Sequence, residues 1–363
     1  MHIPADTVSL FDYERHFHTR VDPAIRAYIA GAAADGITQR ENRTAFDRVQ
    51  LMPRALVDMS SATARTTLLG ETLDYPVLIA PTAWHRLVCE EGELATARAA
   101  SLTRTWTTVS AQASVALEAV AQAADAPLWF QLYMQPRRED TLTLVRRAEA
   151  AGYRALVVTV DAAVSGIRNV EQRAGFRLPE GVESVNLRGF ARAEALDARG
   201  GSPVFKGLLA GAPTWADIEW LCRATALPVL LKGILNAADV PGALDAGAAG
   251  IVVSNHGGRT LDTVPATLDV LPGIAAAVNA RVPVLLDGGV RRGTDVLKAL
   301  ALGAQAVLIG QPVLHALAVG GVAGVAHLLT LLQTELEVAM ALTGVPRLDA
   351  VPRAVVREMR RET

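Results

Sequence analysis

Residues 282–312 read VPVLLDGGVRRGTDVLKALALGAQAVLIGQP, and this stretch decides the fold. A short apolar run, Val284–Leu286, is followed by a glycine- and arginine-rich break, then by a helical segment, Gly293–Leu302, and a second apolar run, Ala306–Ile309. Neither run alternates polar with apolar residues, as is typical of parallel strands that are covered on both faces. The stretch therefore predicts a strand–helix–strand unit with two buried parallel strands.

The same unit recurs along the chain from about residue 75. Short runs rich in Val, Ile and Leu predict the strands Val77–Ala80, Thr107–Val109, Leu128–Leu132, Ala155–Val160, Val229–Leu231, Gly250–Val253, Val284–Leu286 and Ala306–Ile309. The helical segments between them include Gly92–Leu102, Asp140–Ala151, Thr214–Thr225, Ala237–Ala246 and Gly293–Leu302. Eight strand–helix units in series predict an α/β fold, a closed (β/α)8 TIM barrel rather than an open doubly wound sheet.

Two regions fall outside this repeat. The first 70 residues look helical, with Asn42-Arg43 and Pro53-Arg54 marking breaks, so we expect an N-terminal helical extension (1–70) followed by a barrel domain (71–363). About 70 residues separate the fourth strand from the fifth, whereas about 20 to 35 separate the others. Because long irregular insertions in compact domains are usually lids or disordered segments, we expect residues 176–213 to form a lid over the barrel mouth.

Composition and charge argue against several classes of protein. The 363 residues are 51% hydrophobic but only 5% aromatic, which predicts a large aliphatic core. A net charge of −2 offers no general attraction to nucleic acid or to an anionic membrane. The two cysteines, Cys89 and Cys222, form no CxxC pattern, so we expect neither a disulfide framework nor a Cys-ligated zinc ion.

Two stretches bear on the location of the protein. The N-terminus carries charged residues where a signal peptide would need an apolar run, and this favours the cytoplasm. Ala299–Thr334 contains no Asp, Glu, Lys or Arg and is long enough to span a bilayer. Gly310-Gln311-Pro312 interrupts it, however, so a buried strand followed by a helix is the favoured interpretation.

Enzymes built on such barrels carry their active sites at the carboxyl ends of the strands. In this chain those positions are strongly polar, and because all eight ends meet at one mouth we expect their side chains to surround one site. From the first strand to the eighth the positions are Pro81-Thr82-Ala83, Ser110-Ala111-Gln112, Gln131 with Tyr133, Thr159 with Asp161, Lys232, Ser254–Arg259, Asp287–Gly293 and Gly310-Gln311-Pro312.

Two strand ends carry groups suited to catalysis. Lys232 follows the apolar segment PVLL, so its ammonium group either extends to solvent or supplies a fixed charge beside a developing anion such as a reduced flavin. His256 lies in IVVSNHGGR, where the glycines let the backbone approach a ligand closely. A lone histidine there would more often be structural. A base for a hydroxyl proton, with Arg259 to bind a carboxylate, is however the minimum set for oxidising a hydroxy acid.

Other strand-end residues leave more than one interpretation open. Asp287–Gly293 and Gly310 match the usual barrel location of a phosphate group, although a DGG loop is only moderately specific. Asp161 either caps the next helix or orients the base, and Arg168 is either a solvated charge or a second carboxylate anchor. No HxxxH, HExxH or cysteine pair indicates a metal, and no GxGxxG follows an early strand, which disfavours a nicotinamide dinucleotide fold.

With these motifs in place, the chain resembles the FMN-dependent 2-hydroxy-acid oxidase/dehydrogenase family, which includes glycolate oxidase, lactate oxidase, mandelate dehydrogenase and hydroxymandelate oxidase. The resemblance covers nearly the whole chain, and SNHGGR together with LDGGVRRGTDV…ALALGA is highly specific. The matching positions are Tyr28, Glu41-Asn42-Arg43, Ala80–Ala83, Gln131-Leu132-Tyr133, Thr159-Val160-Asp161, Lys232-Gly233, Ser254–Arg259 and Asp287–Gly293.

The resemblance implies FMN as cofactor and oxidation of an (S)-2-hydroxy acid to the 2-keto acid. It implies that His256 is the base, supported by Asp161, and that Lys232 stabilises the anionic reduced flavin. Tyr133 would contact the substrate hydroxyl, and the substrate carboxylate would be held by Tyr28, Arg168 and Arg259. The residues implied in FMN binding are Lys232, Pro81, Thr82, Ala83, Ser110, Gln131, Thr159, Ser254, Asp287, Gly289, Arg291, Gly310 and Gln311.

Two positions depart from the pattern of the family. Many members have a tryptophan over the substrate where this chain has Gln112, so we expect a bulkier or aromatic substrate in place of glycolate, unless Trp84, Trp106 or the lid refills the space. The usual second phosphate arginine is here Gln311, so phosphate binding would rest on Arg291 and backbone amides.

Three functions are compatible with the sequence: an active hydroxy-acid oxidase or dehydrogenase, a relative redirected to another flavin reaction, and a flavin-binding protein without turnover. The base and the carboxylate clamp favour the first, because flavin storage needs neither. Oxygen, a quinone and a carrier protein are all possible electron acceptors, and we expect O2. The resemblance further implies a homotetramer, and we expect no metal and no nucleic-acid or membrane partner.

Overall fold

The computed structural model describes residues 2–190, 202, 204–205, 209 and 211–359. The helices are α1 (Leu10–Arg20), α2 (Pro23–Ala30), α3 (Ile37–Asp47), α4 (Glu93–Leu102), α5 (Leu117–Gln122), α6 (Arg138–Ala150), α7 (Asn169–Arg173), α8 (Trp215–Ala224), α9 (Val240–Asp245), α10 (Thr267–Val278), α11 (Gly293–Ala301) and α12 (Gln311–Thr343). The strands are β1 (Val49–Leu51), β2 (Thr66–Leu68), β3 (Glu71–Leu73), β4 (Val77–Ile79), β5 (Trp106–Ser110), β6 (Leu128–Leu132), β7 (Ala155–Thr159), β8 (Val229–Ile234), β9 (Gly250–Val253), β10 (Val284–Asp287), β11 (Ala306–Ile309) and β12 (Val356–Glu358).

Strands β4 to β11 are parallel and close into one barrel in the order β10-β11-β4-β5-β6-β7-β8-β9. This confirms the predicted TIM barrel. Each strand is buried on both faces, because alternate residues point into the barrel and outward to the helices. Leu285, for example, belongs to the interior cluster, whereas Val284 and Leu286 belong to the layer under the helices.

The amino end of the barrel is plugged by apolar side chains. The hairpin β2–β3 contributes Leu68 and Leu73 to the interior cluster that also contains Trp106 and Trp129, whose rings lie 5.8 Å apart. A solid plug at this end leaves the carboxyl end of the strands as the face on which a site can form.

The extension packs against the barrel through α1, α2 and α3, and β1 pairs antiparallel with β12. The prediction that Asn42-Arg43 marks a break was wrong, because both residues lie inside α3. Asn42 exchanges two side-chain hydrogen bonds with Asn255, and Arg43 pairs with Asp295 at 2.5 Å. These tertiary contacts outweigh the low helix propensity of asparagine. The domain boundary at residue 70 stays a prediction.

Helix α12 is the one helix in the described part of the chain that is long and apolar enough to cross a membrane by length and composition. Most of its apolar window, 61%, is buried, and the helix packs against α1, α4 and α11. Such burial is typical of the core helix of a barrel domain. The strand–break–helix interpretation of Ala299–Thr334 agrees with β11, Gly310 and α12.

Between β7 and β8 the chain makes the predicted long insertion. Its described part includes α7 and a short 3-10 turn at Val185–Leu187, which is anchored by the buried Asn186. The Asn186 side chain accepts from the Leu117 backbone N–H and from Arg147. Part of the predicted lid, including residues 191–201, lies outside the described residues, so its role as a lid stays a prediction.

Candidate active site

The carboxyl ends of the barrel strands surround a cavity of about 790 Å³. Eighteen of the twenty site residues predicted from the sequence line it: Tyr28, Pro81, Thr82, Ala83, Ser110, Gln112, Gln131, Tyr133, Thr159, Arg168, Lys232, His256, Arg259, Asp287, Gly289, Arg291, Gly310 and Gln311. The other two, Asp161 and Ser254, lie directly behind the lining and bind residues of it. The structure therefore brings the whole predicted set together.

His256 and Asp161 form a hydrogen-bonded pair at the mouth, with 2.9 Å between Nδ1 and Oδ1. The contact needs a close approach of two strand ends: Gly233 has φ +113°, and a Cβ there would lie 2.5 Å from the Asp161 Cβ. His256 itself has φ +58°, which is strained for histidine, and its backbone N–H donates to Ser254 Oγ. Strain of this kind is often found where a side chain must be aimed.

Burial and the charge of Lys232 lower the pKa of His256, although Asp161 acts in the opposite direction. Burial by itself raises the pKa of Asp161, but the hydrogen bond from His256 and the charge of Lys232 hold it below its usual value. The pair therefore rests as a neutral imidazole beside a carboxylate. This is the protonation state of a general base that is ready to accept a proton.

Lys232 is 4% exposed and does not reach solvent, which excludes the alternative that its chain extends to water. Its ammonium group donates to Ser254 Oγ at 2.9 Å and pairs with Asp287 Oδ2 at 3.1 Å. Burial lowers the pKa of Lys232, but the charges of Asp287 and Asp161 outweigh it and raise the pKa above its usual value. The site therefore holds a permanent positive charge in its wall.

Arg259, Arg168 and Tyr28 form a cationic cluster in the wall of the same cavity, and Arg168 also pairs with Glu171 at 3.1 Å. The guanidinium carbons of Arg259 and Arg168 lie 5.4 and 6.0 Å from the centre of the Tyr28 ring. Arg259 Nη1 donates to the carbonyls of Ile29 and Gly31, which leaves its other N–H groups for an anion. Burial and the neighbouring Arg168 lower the pKa of Arg259 to about 10, so an anionic ligand would relieve a repulsion between the two cations.

Polar side chains also line the middle of the cavity. Ser110 Oγ donates to Gln131 Oε1, and Gln131 Nε2 donates to Thr159 Oγ1, each at 3.0 Å. These bonds fix the Gln131 amide on the cavity wall. Burial raises the pKa of the neighbouring Tyr133 to about 12, so its hydroxyl stays protonated and can donate a hydrogen bond to a ligand.

The loop after β10 is shaped by two glycines with positive φ, Gly288 and Gly289. A Cβ on Gly289 would lie 2.2 Å from the Asn42 carbonyl oxygen, so no larger residue fits. Arg291 lies in this loop, and burial lowers its pKa. Helix α12 begins at Gln311, directly at the cavity. Pro312 has no N–H and the Val313 N–H donates to the Gly310 carbonyl, so of the first three residues only Gln311 has a backbone N–H left for an anion. The Gln311 side chain turns away and donates to the Ile29 carbonyl at 2.9 Å.

Two aromatic residues that the sequence analysis did not assign to the site cover Tyr28. The Phe176 ring stacks on it at 4.5 Å, and the Trp84 ring lies 5.3 Å away. The Trp84 backbone N–H donates to the Gln112 carbonyl, and its indole donates to Ser184 Oγ at 2.9 Å. Trp84 therefore lies beside Gln112, as one of the alternatives proposed, whereas Trp106 lies in the barrel plug.

The site fits FMN on three observations. The buried Asp287 Oδ1 has no partner among the described residues and can accept from a ribityl hydroxyl. The buried Lys232 supplies a positive charge for the ring, and Arg291 with the N-terminus of α12 supplies the donors that a phosphate requires. Within the described residues no group of three or more His, Cys, Asp or Glu could hold a metal ion. The barrel and the site thus define a flavin-dependent oxidoreductase.

Comparison with known proteins agrees with this class. The family profile FMN-dependent dehydrogenase matches residues 17–358. L-lactate oxidase of Nostoc sp. is 48% identical over 95% of this chain and 96% of its own length. The peroxisomal (S)-2-hydroxy-acid oxidase GLO4 of Oryza sativa subsp. japonica is 45% identical over 91% and 90%. A solved structure of mandelate oxidase with (S)-2-phenylpropionate superposes with a TM-score of 0.88, 42% identity and coverage of 96% and 98%.

The chain belongs to the FMN-dependent dehydrogenase family, and it is an FMN-dependent enzyme of the 2-hydroxy-acid oxidase type. The resemblance predicted from the sequence motifs is confirmed, and so is FMN as the cofactor.

Proposed function

We propose that this enzyme oxidises an (S)-2-hydroxy acid with a bulky or aromatic side chain to the 2-keto acid, with His256 as base and O2 as electron acceptor. The observation that carries the proposal is that the His256–Asp161 pair and the cations Arg259 and Arg168 meet at one cavity. A 2-hydroxy acid carries a carboxylate, which the cations would bind, beside a hydroxyl group, whose proton the base would accept.

Substrate binding would rest on the cationic cluster. Arg259 and Arg168 bind the carboxylate, and the protonated hydroxyls of Tyr28 and Tyr133 add neutral donors. Charge-assisted bonds of this kind are strong and directional, so they fix C2 relative to the base. Because the two guanidinium groups repel each other before binding, the anion is favoured over a neutral analogue.

In the chemical step His256 takes the hydroxyl proton on Nε2, since Nδ1 is occupied by Asp161. The carboxylate of Asp161 then stabilises the imidazolium that forms. FMN, when bound, supplies the acceptor for the two electrons and for the hydrogen of C2. Pro81, Thr82, Ala83, Ser110, Gln131, Thr159 and Ser254 would hold the ring and ribityl chain, and the positive charge of Lys232 would stabilise the reduced ring.

Overall, hydroxy acid and O2 would give keto acid and hydrogen peroxide. The naming of the relatives as oxidases supports O2 as the acceptor. For this chain the proposal is tested by measuring peroxide formed against oxygen consumed; a ratio near one supports an oxidase. Flavin reduction by substrate without oxygen consumption on readmission of air would indicate a dehydrogenase with another acceptor.

The side chain of the substrate is the least constrained part of the proposal. Gln112 is smaller than the tryptophan found in many relatives, and an adjoining apolar cavity is lined by Tyr133, Leu178, Leu187 and Phe190. The similarity to mandelate oxidase supports an aromatic substrate, whereas the similarity to lactate oxidases supports a short one. Anaerobic flavin reduction by glycolate, lactate and mandelate tests this directly: the fastest reduction should be by mandelate.

We also propose that the protein is a cytoplasmic homotetramer without nucleic-acid or membrane partners. The balanced charge supports the absence of such partners, and the resemblance to the family supports the assembly. Light scattering of the purified protein tests the oligomeric state, and a mass other than four chains would contradict it.

A further inference from the structure

One buried histidine lies close to Arg291, a residue that the resemblance implies in phosphate binding, and it has no role in the proposed function. His315 is 1% exposed and lines the same cavity as Arg291 and Gly310. It is four residues beyond Gln311 in α12, which places it one helical turn from the helix N-terminus. Neither of its ring nitrogens has a hydrogen-bond partner among the described residues.

Such a histidine needs an explanation. A neutral imidazole carries one N–H donor and one acceptor, and a buried polar group without a partner destabilises the fold. His315 stacks on Phe17, with ring centroids 4.4 Å apart, and packing alone would be served at least as well by an aromatic ring without nitrogens. A ligand in the cavity that accepts a hydrogen bond would give the ring N–H of His315 the partner that it lacks.

The surroundings of His315 favour an anion. Arg291 and His18 lie close to it. Arg40 lines the same cavity, as do Arg15 and Arg43, which already pair with Asp6 and Asp295. Glu14 is the acidic residue there, and its carboxylate lies 3.7 Å from Arg291 Nε, too far for a good hydrogen bond. Burial, Arg291 and His18 hold the pKa of His315 well below its usual value, so the ring is neutral until an anion enters.

The helix N-terminus beside it lacks the side chain that the family pattern leads us to expect. Gln311 stands where relatives have a phosphate-binding arginine, and its amide is bound to the Ile29 carbonyl. The donors left near Gln311 are the Arg291 guanidinium, the Gln311 backbone N–H and the His315 ring.

We propose that His315 donates a ring N–H to the phosphate of FMN and thereby replaces the arginine that is missing at position 311. The proposal concerns retention of the cofactor and does not rest on the substrate or on His256. It predicts that His315 discriminates between FMN and riboflavin, because these two ligands differ only in the phosphate.

The test is a comparison of two dissociation constants in His315→Phe, a variant that keeps an aromatic ring against Phe17. Holoenzyme is stripped of flavin, and FMN and riboflavin are titrated back by quenching of flavin fluorescence. FMN should bind about 10- to 100-fold more weakly, the loss expected for one hydrogen bond to a charged group, while riboflavin affinity should change less than about threefold. Gln311→Arg in the same background should restore FMN affinity.

His327→Phe is the matched control, since His327 lies on the same helix and bonds Tyr13 outside the cavity. It should alter neither constant. Equal losses for FMN and riboflavin in His315→Phe, or no loss for FMN, would overturn the proposal and leave His315 a packing residue.

A readout on the unmodified protein covers the case in which His315→Phe does not fold. The ring ¹⁵N signals of His315, assigned in the histidine-labelled protein, should shift when FMN replaces riboflavin, whereas those of His327 should not. Identical His315 signals with the two flavins would also refute the contact.

Discussion

The Nδ1 atom of His256 lies 2.9 Å from Oδ1 of Asp161, a residue 95 positions earlier in the chain. The contact joins the ends of two strands that are separated by β8, and it leaves only the Nε2 edge of the imidazole for a ligand. It also fixes the tautomer in which Nδ1 carries the proton and Nε2 is the acceptor.

Replacement of the proposed base, His256, should greatly slow the reduction of the flavin without loss of the cofactor. His256→Ala should bind FMN normally but reduce it with substrate roughly two to four orders of magnitude more slowly, because general base catalysis contributes about that much. Anaerobic stopped-flow measurement of flavin bleaching checks this. Reduction at near wild-type rate would contradict the assignment of His256.

Asp161→Asn should change both the pKa of His256 and the maximum value of kcat/KM. The aspartate raises the pKa of His256, so its neutralisation should move the acid limb of kcat/KM to lower pH. In the unmodified enzyme the pH at which kcat/KM falls should already lie below about 6.5, the ordinary pKa of histidine, since the active form is the neutral ring. The plateau should fall by roughly one to three orders of magnitude because the imidazolium is less stabilised.

Asp245→Asn is a suitable control for this pH profile, because Asp245 is exposed on α9, lines neither cavity and is not part of the pair. It should leave both the plateau and the limb unchanged. An acid limb that moves to higher pH in Asp161→Asn would show that the carboxylate does not act on the histidine in the proposed way.

The carboxylate clamp predicts a difference between charged and neutral substrates. Arg168→Met and Arg259→Met should raise the Kd of the hydroxy acid about 10- to 100-fold, and Lys at either position should restore only part of it. The Kd of the corresponding uncharged amide should change little. Each variant also breaks a contact within the protein, since Arg259 donates to the carbonyls of Ile29 and Gly31 and Arg168 pairs with Glu171. Equal effects on acid and amide would exclude a clamp.

Lys232→Met should change the midpoint potential of the bound flavin more than the stability of the fold. The ammonium group balances Asp287 and Asp161, and its loss leaves the carboxylates facing a ring that becomes negative on reduction. The midpoint potential of bound FMN should fall by about 30–60 mV, which for a two-electron couple is about 1.4–2.8 kcal/mol. Spectroelectrochemical titration measures this, and an unchanged potential would mean that Lys232 does not face the ring.

Much of this site could be found from the sequence because one rule of the fold applies: the ends of parallel barrel strands converge. Residues that follow an apolar run, such as Lys232 and Asp287, were therefore placed correctly. Trp84 was named only as one of three ways to fill the space at Gln112. The contacts of Trp84 and Phe176 with Tyr28 were not predicted, since they depend on how loops fold over the mouth. Helix α10 was missed as well, and it contains Pro272, a residue that breaks most helices.

The contribution of α3 and α12 to the site could not be predicted from the sequence either. Asn42 looked like a helix break, yet its bonds to Asn255 hold the extension against the loop after β9. His315 lies in an apolar stretch, where spacing alone gives no sign that its ring faces the cavity that holds Arg291. Contacts between segments 200 or more residues apart are set by tertiary packing, which local patterns do not encode.

The last prediction concerns the substrate side chain and rests on Gln112 and Trp84. Gln112→Trp adds a large apolar surface over the substrate and should favour lactate and glycolate over mandelate, because a bulky ring would clash. If Trp84 already fills this space, Gln112→Trp should instead impair all three equally, and Trp84→Ala should give the gain for mandelate. Ratios of kcat/KM measure both outcomes, with Ser184→Ala as the control that releases the indole without removing it. Glycolate as the best substrate of the unmodified enzyme would refute the proposed preference for bulk.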